Sequence, residues 1–413
     1  MKKKSFESQL LHVPFMEIDA YHSLSMPVYN TAAYEFDTAE EMEAAFAGRL
    51  PKNTYSRTSN PTVQYFEKRV ASATGAFSVT ALNSGMAAIS TTFLAVSGAG
   101  MNIVTSSHLF GNTYSFFKNT LKGFGVEVRC IDLTNPEEVA SNIDEKTCAV
   151  YFEIISNPQL EVVDIKALSA ICKEKGVPLI CDSTIVPFSA FHAKEFGVNI
   201  EVISSTKYIS GGATGVGGLI VDYGNFDWSR SPMLSVKAKQ VGKFAAFTAR
   251  LKTEMLGNIG CYMTPQVAYM QTLGLETLSL RFQQQAGTCL ALAKQMQQMK
   301  QIEQVNYTGL EGNPFYELSK AQFGVYPGAM LTFDLASREA CFEFMRRLKL
   351  IRRATNLFDN KSLAIHPAST IFVNFTEEQR KSMDVSPKTI RLSVGLESVD
   401  DLFADIEQAL AAE

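Results

Sequence analysis

Short apolar segments alternate with segments of helical spacing between about residues 62 and 222. Apolar runs of this length, separated by helices, predict a mostly parallel sheet that is covered on both faces. The predicted strands are residues 77–82, 102–105, 126–131, 149–155, 178–181, 202–204 and 219–221. The predicted helices of this region are residues 63–74, 86–95, 113–122 and 165–175. The pattern therefore favours the α/β class.

The pattern changes on either side of this region. Residues 1–60 show no periodicity, and their prolines and interleaved aromatic residues indicate an arm that packs on another surface, for which a second subunit is one candidate. After about residue 255 the pattern is typical of a smaller α+β domain. Its predicted elements are helix 273–299, strand 330–335, helix 341–348, strand 389–394 and helix 399–412. We therefore divide the chain into an arm (1–60), an α/β domain (61–255) and an α+β domain (256–413).

Composition narrows the functional classes. The net charge of −4 argues against nucleic acid or an anionic membrane as the main partner. The sequence has no window of about 18 uncharged apolar residues, so no membrane span is predicted. The seven cysteines form no CxxC pair and the five histidines show no metal-binding spacing. We therefore expect reduced thiols in a cytosolic protein, and no metal site.

One stretch carries the clearest chemistry, namely VISSTKYISGGATGVGGLIVD at residues 202–222. Lys207 follows a strand predicted to be buried, where desolvation lowers the pKa of an ammonium group and makes it a nucleophile or a proton shuttle. Ser204 and Thr206 place hydroxyl groups nearby that suit a phosphate, and the five glycines let the backbone approach a flat ligand. Taken alone, a solvated lysine beside a flexible loop is the simpler interpretation.

Three other polar residues follow predicted strands, as Lys207 does. Ser84 opens a helix, where free N–H groups attract an anion, although an ordinary N-cap gives the same pattern. Asp182 ends a strand predicted to be buried, so its carboxylate needs a partner, which is either the next helix or a cationic ring nitrogen of a cofactor. Asn157 follows the strand predicted at 149–155. Because ligands collect beyond the carboxyl ends of parallel strands, we expect these residues to share one site.

Two arginines are weaker candidates. Arg57, close to Tyr55 in the arm, has the chemistry of a phosphate ligand, although an exposed surface arginine fits the composition better. Arg391 lies within a predicted strand whose neighbours are apolar. It fits a bidentate clamp for a substrate carboxylate about as well as a structural ion pair.

Together these motifs resemble one family, the cystathionine γ-synthase-like enzymes of cysteine and methionine metabolism. The matching segments are YSRTSNPT (55–62), NSGMAA (83–88), SNP (156–158), CDSTIVP (181–187), SSTKY (204–208), HPAST (366–370) and RLSVGLE (391–397). They occur in family order and span nearly the whole chain. Within the family, segments 217–228, 256–281 and 354–363 look most like O-acetylhomoserine sulfhydrylases, with Asn356 where many relatives have serine.

The resemblance implies the aspartate aminotransferase-like fold type I and the cofactor pyridoxal 5′-phosphate (PLP). It implies that Lys207 binds PLP as a Schiff base and then shuttles protons, and that Asp182 keeps the pyridine nitrogen protonated so that the ring acts as an electron sink. The residues that would hold the phosphate are Gly85, Met86, Ser204 and Thr206, joined by Tyr55 and Arg57 of the neighbouring subunit. Arg391 and Asn157 would bind the substrate carboxylate, with Asn356 beside them. The implied assembly is a cytoplasmic homotetramer of two dimers, with active sites at subunit boundaries.

The implied reaction belongs to methionine biosynthesis by transsulfuration. It is γ-replacement on O-acetyl-L-homoserine by sulfide or a thiol, which gives homocysteine or methionine and acetate. Elimination, as in methionine γ-lyase, and the cystathionine synthase or lyase reactions are the alternatives. The leaving group and the sulfur donor stay open.

Two residues depart from the family pattern. Phe110 stands where the usual tyrosine stacks on the cofactor ring, so it keeps the stacking but has no proton to give. Phe358 replaces a glycine. These departures motivate a second hypothesis, a family member without catalysis that serves as a binding subunit. The intact Lys207, Asp182 and Arg391 argue against it.

Overall fold

The computed structural model describes residues 5–15 and 19–411, and its largest element is a seven-stranded sheet. The strands are β1 (Ser78–Leu82), β2 (Asn102–Thr105), β3 (Glu127–Cys130), β4 (Thr147–Glu153), β5 (Leu179–Asp182), β6 (Ile200–Ile203) and β7 (Gly218–Asp222). Their order across the sheet is β1-β7-β6-β5-β4-β2-β3. Strand β7 is antiparallel to both of its neighbours, and every other pair is parallel. The predicted mostly parallel sheet is confirmed.

Both faces of this sheet are buried, as its apolar strands predict. Along β4, Ala149 and Tyr151 belong to one hydrophobic cluster, whereas Val150 and Phe152 belong to the other. Because successive side chains of a strand point to opposite faces, both faces must be covered.

The helices of the first 260 residues surround this sheet and include two short ones in the arm. They are α1 (Phe6–Leu11), α2 (Ala39–Phe46), α3 (Pro61–Thr74), α4 (Gly85–Val96), α5 (Gly111–Ser115), α6 (Pro136–Asn142), α7 (Ile165–Lys175), α8 (Ser235–Val241), α9 (Ala246–Arg250) and α10 (Gly257–Ile259). The expectation of a wholly irregular arm is therefore wrong, because Ser5 and Thr38 cap α1 and α2 with their hydroxyl oxygens. The helix predicted at 113–122 begins earlier, at Gly111, and continues beyond Ser115 as a π-helix over Phe116–Leu121.

The last third of the chain forms a second, five-stranded sheet. Its strands are β8 (Gln304–Asn306), β9 (Met330–Asp334), β10 (Arg352–Arg353), β11 (Leu363–Ile365) and β12 (Thr389–Ser393), in the order β10-β11-β12-β9-β8. Its helices are α11 (Pro265–Glu276), α12 (Leu278–Met296), α13 (Tyr316–Phe323), α14 (Arg338–Arg347), α15 (Glu377–Ser382) and α16 (Val399–Leu410). The α+β character is as predicted, whereas β8, β10 and β11 are too short to have a clear sequence pattern.

The single helix predicted at 273–299 is wrong. The backbone leaves the helical region at Thr277, with φ −114° and ψ 10°, so that α11 ends and α12 begins there. The carbonyl of Thr277 then accepts the N–H of Arg281, 3.0 Å away, as the first hydrogen bond of α12.

Parts of two predicted segments lie outside the described residues, namely residues 1–4 and 16–18 of the arm and residues 412–413 at the end of the α+β domain. The domain boundaries after residues 60 and 255 stay predictions. In the part of the chain that the structure covers, no helix combines the length and apolar character required to cross a bilayer. All seven cysteines are free, and five of them are buried.

Candidate active site

A cavity of about 550 Å³ lies beyond the carboxyl ends of the parallel strands. Nine of the residues to which the family resemblance assigns a role line it, namely Gly85, Met86, Phe110, Asn157, Asp182, Ser204, Thr206, Lys207 and Arg391. Ser84 lines it as well, so all four residues that follow predicted strands come together. The shared position after a strand was thus a sound signal.

Lys207 lies in the loop after β6, and its ammonium group donates a hydrogen bond to the side-chain oxygen of Asn356 at 2.8 Å. Burial, and after it the positive charge of Arg391, lowers the pKa of Lys207 to about 8. The carboxylates of Asp182 and Asp359 act in the opposite direction. The neutral, nucleophilic amine is therefore accessible near neutral pH.

Asp182, the last residue of β5, accepts the backbone N–H of Thr184 at 2.8 Å. Burial raises the pKa of Asp182, while Thr184 and Lys207 act to lower it. Glu153, the last residue of β4, is paired in register with Asp182 across the sheet. Burial, together with the charge of Asp182, raises the pKa of Glu153 well above its usual value. Because Asp182 has Lys207 and Thr184 as stabilising partners, Glu153 is the member of this pair that takes up a proton more readily.

The start of α4 forms a tight cradle against the loop after β6. Ser84 caps this helix by accepting the N–H of Ala87 at 3.0 Å. A Cβ atom at Gly85 would lie 2.7 Å from the Cβ of Ser204, so only glycine fits here. The first N–H groups of a helix have no intrahelical acceptor and point at whatever occupies this end of the cavity. Thr206 completes this end, and its hydroxyl oxygen accepts the N–H of Gly217 at 3.0 Å.

Arg391 reaches the cavity from β12 of the second sheet, and its side chain is almost fully buried. Its Nη1 donates to the side-chain oxygen of Asn157 at 3.1 Å, and its Nη2 to the backbone carbonyl of Asn356 at 3.5 Å. Its Nε is buried without a hydrogen-bond partner. Burial lowers the pKa of Arg391 to about 9. An unpaired buried donor is costly, so the guanidinium is suited to an anionic ligand.

Phe110 is the N-cap residue of α5, and its backbone N–H donates to the Glu153 carboxyl at 2.6 Å. Its neighbour Gly111 packs closely on the second sheet's side of the cavity, since a Cβ there would lie 2.8 Å from the carbonyl oxygen of Ile371. Thr370 and Ile371 line the cavity at this point.

Phe358 has a left-handed backbone, with φ 54°, which is the region that favours glycine. Its ring is fully buried and stacks on Tyr208, with ring centroids 4.2 Å apart and planes 7° apart. Its N–H donates to the hydroxyl of Ser393 at 2.7 Å. These contacts explain how a large side chain is held where the family has glycine.

Tyr55 and Arg57 do not line this cavity. The Arg57 guanidinium lies 5.6 Å from the centre of the Tyr55 ring, and it donates to the carbonyl of Gly257. Nothing in the single chain brings this pair to the cradle at Gly85, so their role at a neighbouring subunit stays a prediction.

Sequence reasoning missed several residues of the cavity. Glu153 is the most polar of them, and an acidic residue that ends an otherwise apolar strand was the available signal. The others are mostly apolar and had no distinguishing signal, namely Ile89, Ile155, Thr184, Ile185, Val216, Thr355, Leu357, Thr370 and Ile371.

Comparison with known proteins identifies the class of this site. A family model described as Cys/Met metabolism PLP-dependent enzyme matches residues 7–411. The chain therefore belongs to this family, and it is a PLP-dependent enzyme.

Individual relatives share its length and fold. O-acetyl-L-homoserine sulfhydrylase 1 of Thermus thermophilus is 37% identical to this chain, and the match covers 98% of this chain and 100% of the relative's length. A crystal structure from Campylobacter jejuni, an O-acetylhomoserine (thiol)-lyase with a pyridoxyl-lysine monophosphate, has a TM-score of 0.92 at 30% identity and covers 99% of this chain and 100% of its own. O-acetylhomoserine sulfhydrylase of Wolinella succinogenes is 44% identical with a TM-score of 0.77, over 86% of this chain and 99% of its own. The expected fold type I is confirmed.

The residues of the cavity fit PLP. The cradle at Gly85 and Ser204 leaves backbone N–H groups for a phosphate, and Lys207 supplies an amine of lowered pKa. Asp182 supplies a buried carboxyl that a protonated ring nitrogen would stabilise in its ionised form. The described residues contain no group of three or more His, Cys, Asp or Glu arranged to hold a metal ion.

Proposed function

We propose that this chain catalyses γ-replacement on O-acetyl-L-homoserine, in which sulfide or a small thiol displaces acetate and homocysteine or methionine is formed. The observation that carries the proposal is the meeting of Lys207, Asp182 and Arg391 in one cavity, in a chain whose relatives are named for this reaction. In this proposal each of the three has a distinct task.

PLP, when bound, supplies an electron sink for the charge left behind as protons leave the substrate carbons. In our proposal Lys207 takes the proton from Cα, gives it up to the cofactor side of the adduct, and as a neutral amine again takes a proton from Cβ. Acetate leaves from Cγ with the bonding electron pair, the sulfur nucleophile bonds to Cγ, and protons return to Cβ and Cα. A pKa of about 8 suits Lys207 to move protons in both directions near neutral pH.

Arg391 would hold the substrate carboxylate, using the Nε donor that has no protein partner. Asn157 holds the guanidinium plane in place through its contact with Nη1. Asn356 contacts both Lys207 and Arg391, so it would fix the distance between the proton shuttle and the clamp. This arrangement would aim Cα of the substrate at the lysine.

The remaining residues would hold the cofactor. Gly85 and Met86, with the hydroxyls of Ser204 and Thr206, would bind the phosphate at the start of α4. Asp182 would face the pyridine nitrogen, and the ring of Phe110 would stack on the cofactor ring.

The proposal includes the assembly. We infer a cytoplasmic homotetramer in which Tyr55 and Arg57 reach the phosphate of a neighbouring subunit. Its support is the position of this pair, outside the chain's own cavity and in an arm whose Tyr55 is 44% exposed. Sedimentation of the holoenzyme tests it, and a monomer with full activity would contradict it.

An assay of the purified enzyme with O-acetyl-L-homoserine tests the reaction, with and without sulfide, scoring homocysteine and 2-oxobutyrate together. We expect homocysteine that depends on sulfide. Formation of 2-oxobutyrate without sulfide would replace the proposal by α,γ-elimination. If the PLP-loaded enzyme forms neither product, O-acetyl-L-homoserine is not its substrate. O-succinyl- and O-phosphohomoserine would then be compared.

A further inference from the structure

Glu153 is a polar residue of the cavity to which the reaction assigns no task. It ends β4, is buried, and lies beside Asp182 in the neighbouring strand. A buried acidic group next to another acidic group costs stability unless its oxygens have partners. Such a group calls for an explanation.

The partners of its carboxyl are two backbone N–H groups that belong to the walls of the site. The N–H of Phe110 donates to Glu153 Oε1 at 2.6 Å, and the N–H of Asn157 also interacts favourably with this carboxyl. Phe110 carries the ring that we propose to stack on the cofactor, and Asn157 accepts the hydrogen bond from Arg391. One side chain thus connects the stacking wall and the substrate clamp.

We propose that Glu153 is a positioning residue, whose carboxyl oxygens fix the backbone of Phe110 and Asn157 and thereby set the stacking ring and the carboxylate clamp relative to Asp182. The contacts need acceptor oxygens and no negative charge. Burial and the charge of Asp182 raise the pKa of Glu153, and even a protonated carboxyl keeps its carbonyl oxygen as an acceptor. The side-chain amide of glutamine presents the same oxygen, so Glu153→Gln preserves the contact, whereas Glu153→Met fills the space without an acceptor.

A matched control lies in the same sheet. Glu201 in β6 is fully buried and accepts the hydroxyl groups of Ser183 and Tyr223, but it does not line the cavity. Glu201→Met therefore removes two buried hydrogen bonds from the same sheet without touching Phe110 or Asn157. Any general loosening of the sheet appears in both methionine variants.

The experiment compares the four variants, Glu153→Met, Glu153→Gln, Glu201→Met and Glu201→Gln, as PLP-loaded enzymes. The first measurement is the visible circular dichroism for each bound PLP, which reports how rigidly the ring is held in its asymmetric site. The second is KM for O-acetyl-L-homoserine, and the third is the thermal midpoint.

We expect Glu153→Met to lose at least about half of the dichroism and to raise KM about tenfold, because small displacements in a site are costly. Glu153→Gln should recover most of both signals. Glu201→Met should lower the thermal midpoint while both signals stay within about twofold of wild type.

Three results would overturn the inference. Unchanged dichroism and KM in Glu153→Met would mean that the contacts position nothing. Equal losses in Glu201→Met would mean that the effect is general. Glu153→Gln behaving like Glu153→Met would assign the role to the titrating proton instead of the acceptor oxygens.

The KM measurement rests on the proposed function, whereas the dichroism does not require the substrate. If wild-type enzyme does not use O-acetyl-L-homoserine, the proposed function fails. The dichroism and the thermal midpoints still decide the role of Glu153 in that case. If Glu153→Met does not fold with PLP, the comparison passes to Glu153→Leu under the same criteria.

Discussion

The Lys207 ammonium and the side-chain oxygen of Asn356 are 2.8 Å apart and hydrogen-bonded. Lys207 belongs to the loop after β6 of the first sheet, whereas Asn356 lies in the segment between β10 and β11 of the second sheet. The contact therefore links the two sheets at the cavity. Asn356 also donates to the Asp359 carboxylate at 3.3 Å, and its carbonyl accepts from Arg391. The proton shuttle and the substrate clamp therefore share one supporting residue.

This contact leads to a prediction about pH. An ordinary lysine has a pKa of 10.5, but burial lowers that of Lys207 to about 8. Because only the neutral amine attacks the cofactor aldehyde, covalent uptake of PLP by the apoenzyme should accelerate up to about pH 8 and then level off. Stopped-flow absorbance of apoenzyme mixed with PLP measures this midpoint. A rate still rising at pH 10, as for a solvated lysine, would contradict it.

The variant Asn356→Asp is a control for that prediction, because the direction in which it should move the pH midpoint is known. A carboxylate beside the ammonium favours the charged form, so the midpoint should move to higher pH by about one unit or more. Lys207→Ala should show no covalent uptake at any pH. An unchanged midpoint in Asn356→Asp would mean that the amide does not contact the amine in solution.

Gly85 provides a steric prediction. A methyl group at this position would meet the Cβ, Oγ and Cα atoms of Ser204 at 2.7, 2.9 and 3.1 Å. Gly85→Ala should therefore force the start of α4 away from the loop after β6 and weaken PLP binding by at least about tenfold. Equilibrium titration of the apoenzyme with PLP measures the loss.

Gly123→Ala is the matched control, because a Cβ there would have no atom within 4 Å. It should leave the PLP affinity within about twofold of wild type. Equal losses in both variants would mean that the cradle has no steric requirement for glycine.

The sequence alone predicted one edge of the cavity well. Ser84, Asn157, Asp182 and Lys207 each follow a strand, and a parallel sheet places such residues together whatever the order of its strands. The buried character of β5 and β6 also made the lowered pKa of Lys207 predictable. These inferences need only local patterns.

Features that depend on neighbours distant in sequence were not predictable in this way. Arg391 comes from another sheet, and only the family resemblance related it to Lys207. Glu153 acts beside Asp182 because β4 and β5 are adjacent and in register, which the pattern of one strand does not encode. The helix break at Thr277 is likewise absent from the sequence pattern, since the apolar spacing continues through it.

The left-handed Phe358 leads to a prediction about stability. Removing its buried ring should cost about 3–5 kcal/mol of unfolding free energy in Phe358→Ala. In Phe358→Gly the loss should be smaller by about 1 kcal/mol, because glycine adopts φ 54° without the strain that alanine retains. Urea unfolding of the apoenzyme measures both values.

Phe344 in α14 is a control for which the opposite order of glycine and alanine is expected, since it is similarly buried but helical. There glycine should be worse than alanine by about 1 kcal/mol. If Phe358→Ala were as stable as Phe358→Gly, the left-handed conformation would not be present in solution.

A substitution at Arg391 should affect substrate binding without affecting cofactor binding. Arg391→Lys keeps a positive charge but loses the planar donor pair and the Nε donor that is unpartnered in the structure. Loss of one charge-assisted hydrogen bond corresponds to about 1.5–3 kcal/mol, so KM for the amino-acid substrate should rise about tenfold to a hundredfold. PLP uptake should be nearly unchanged, since Arg391 is assigned to the substrate.

The control is Arg69→Lys, another buried arginine, whose partners Glu276 and Leu10 lie outside the cavity. A wild-type KM in Arg391→Lys, or an equal rise in Arg69→Lys, would place the carboxylate elsewhere in the cavity.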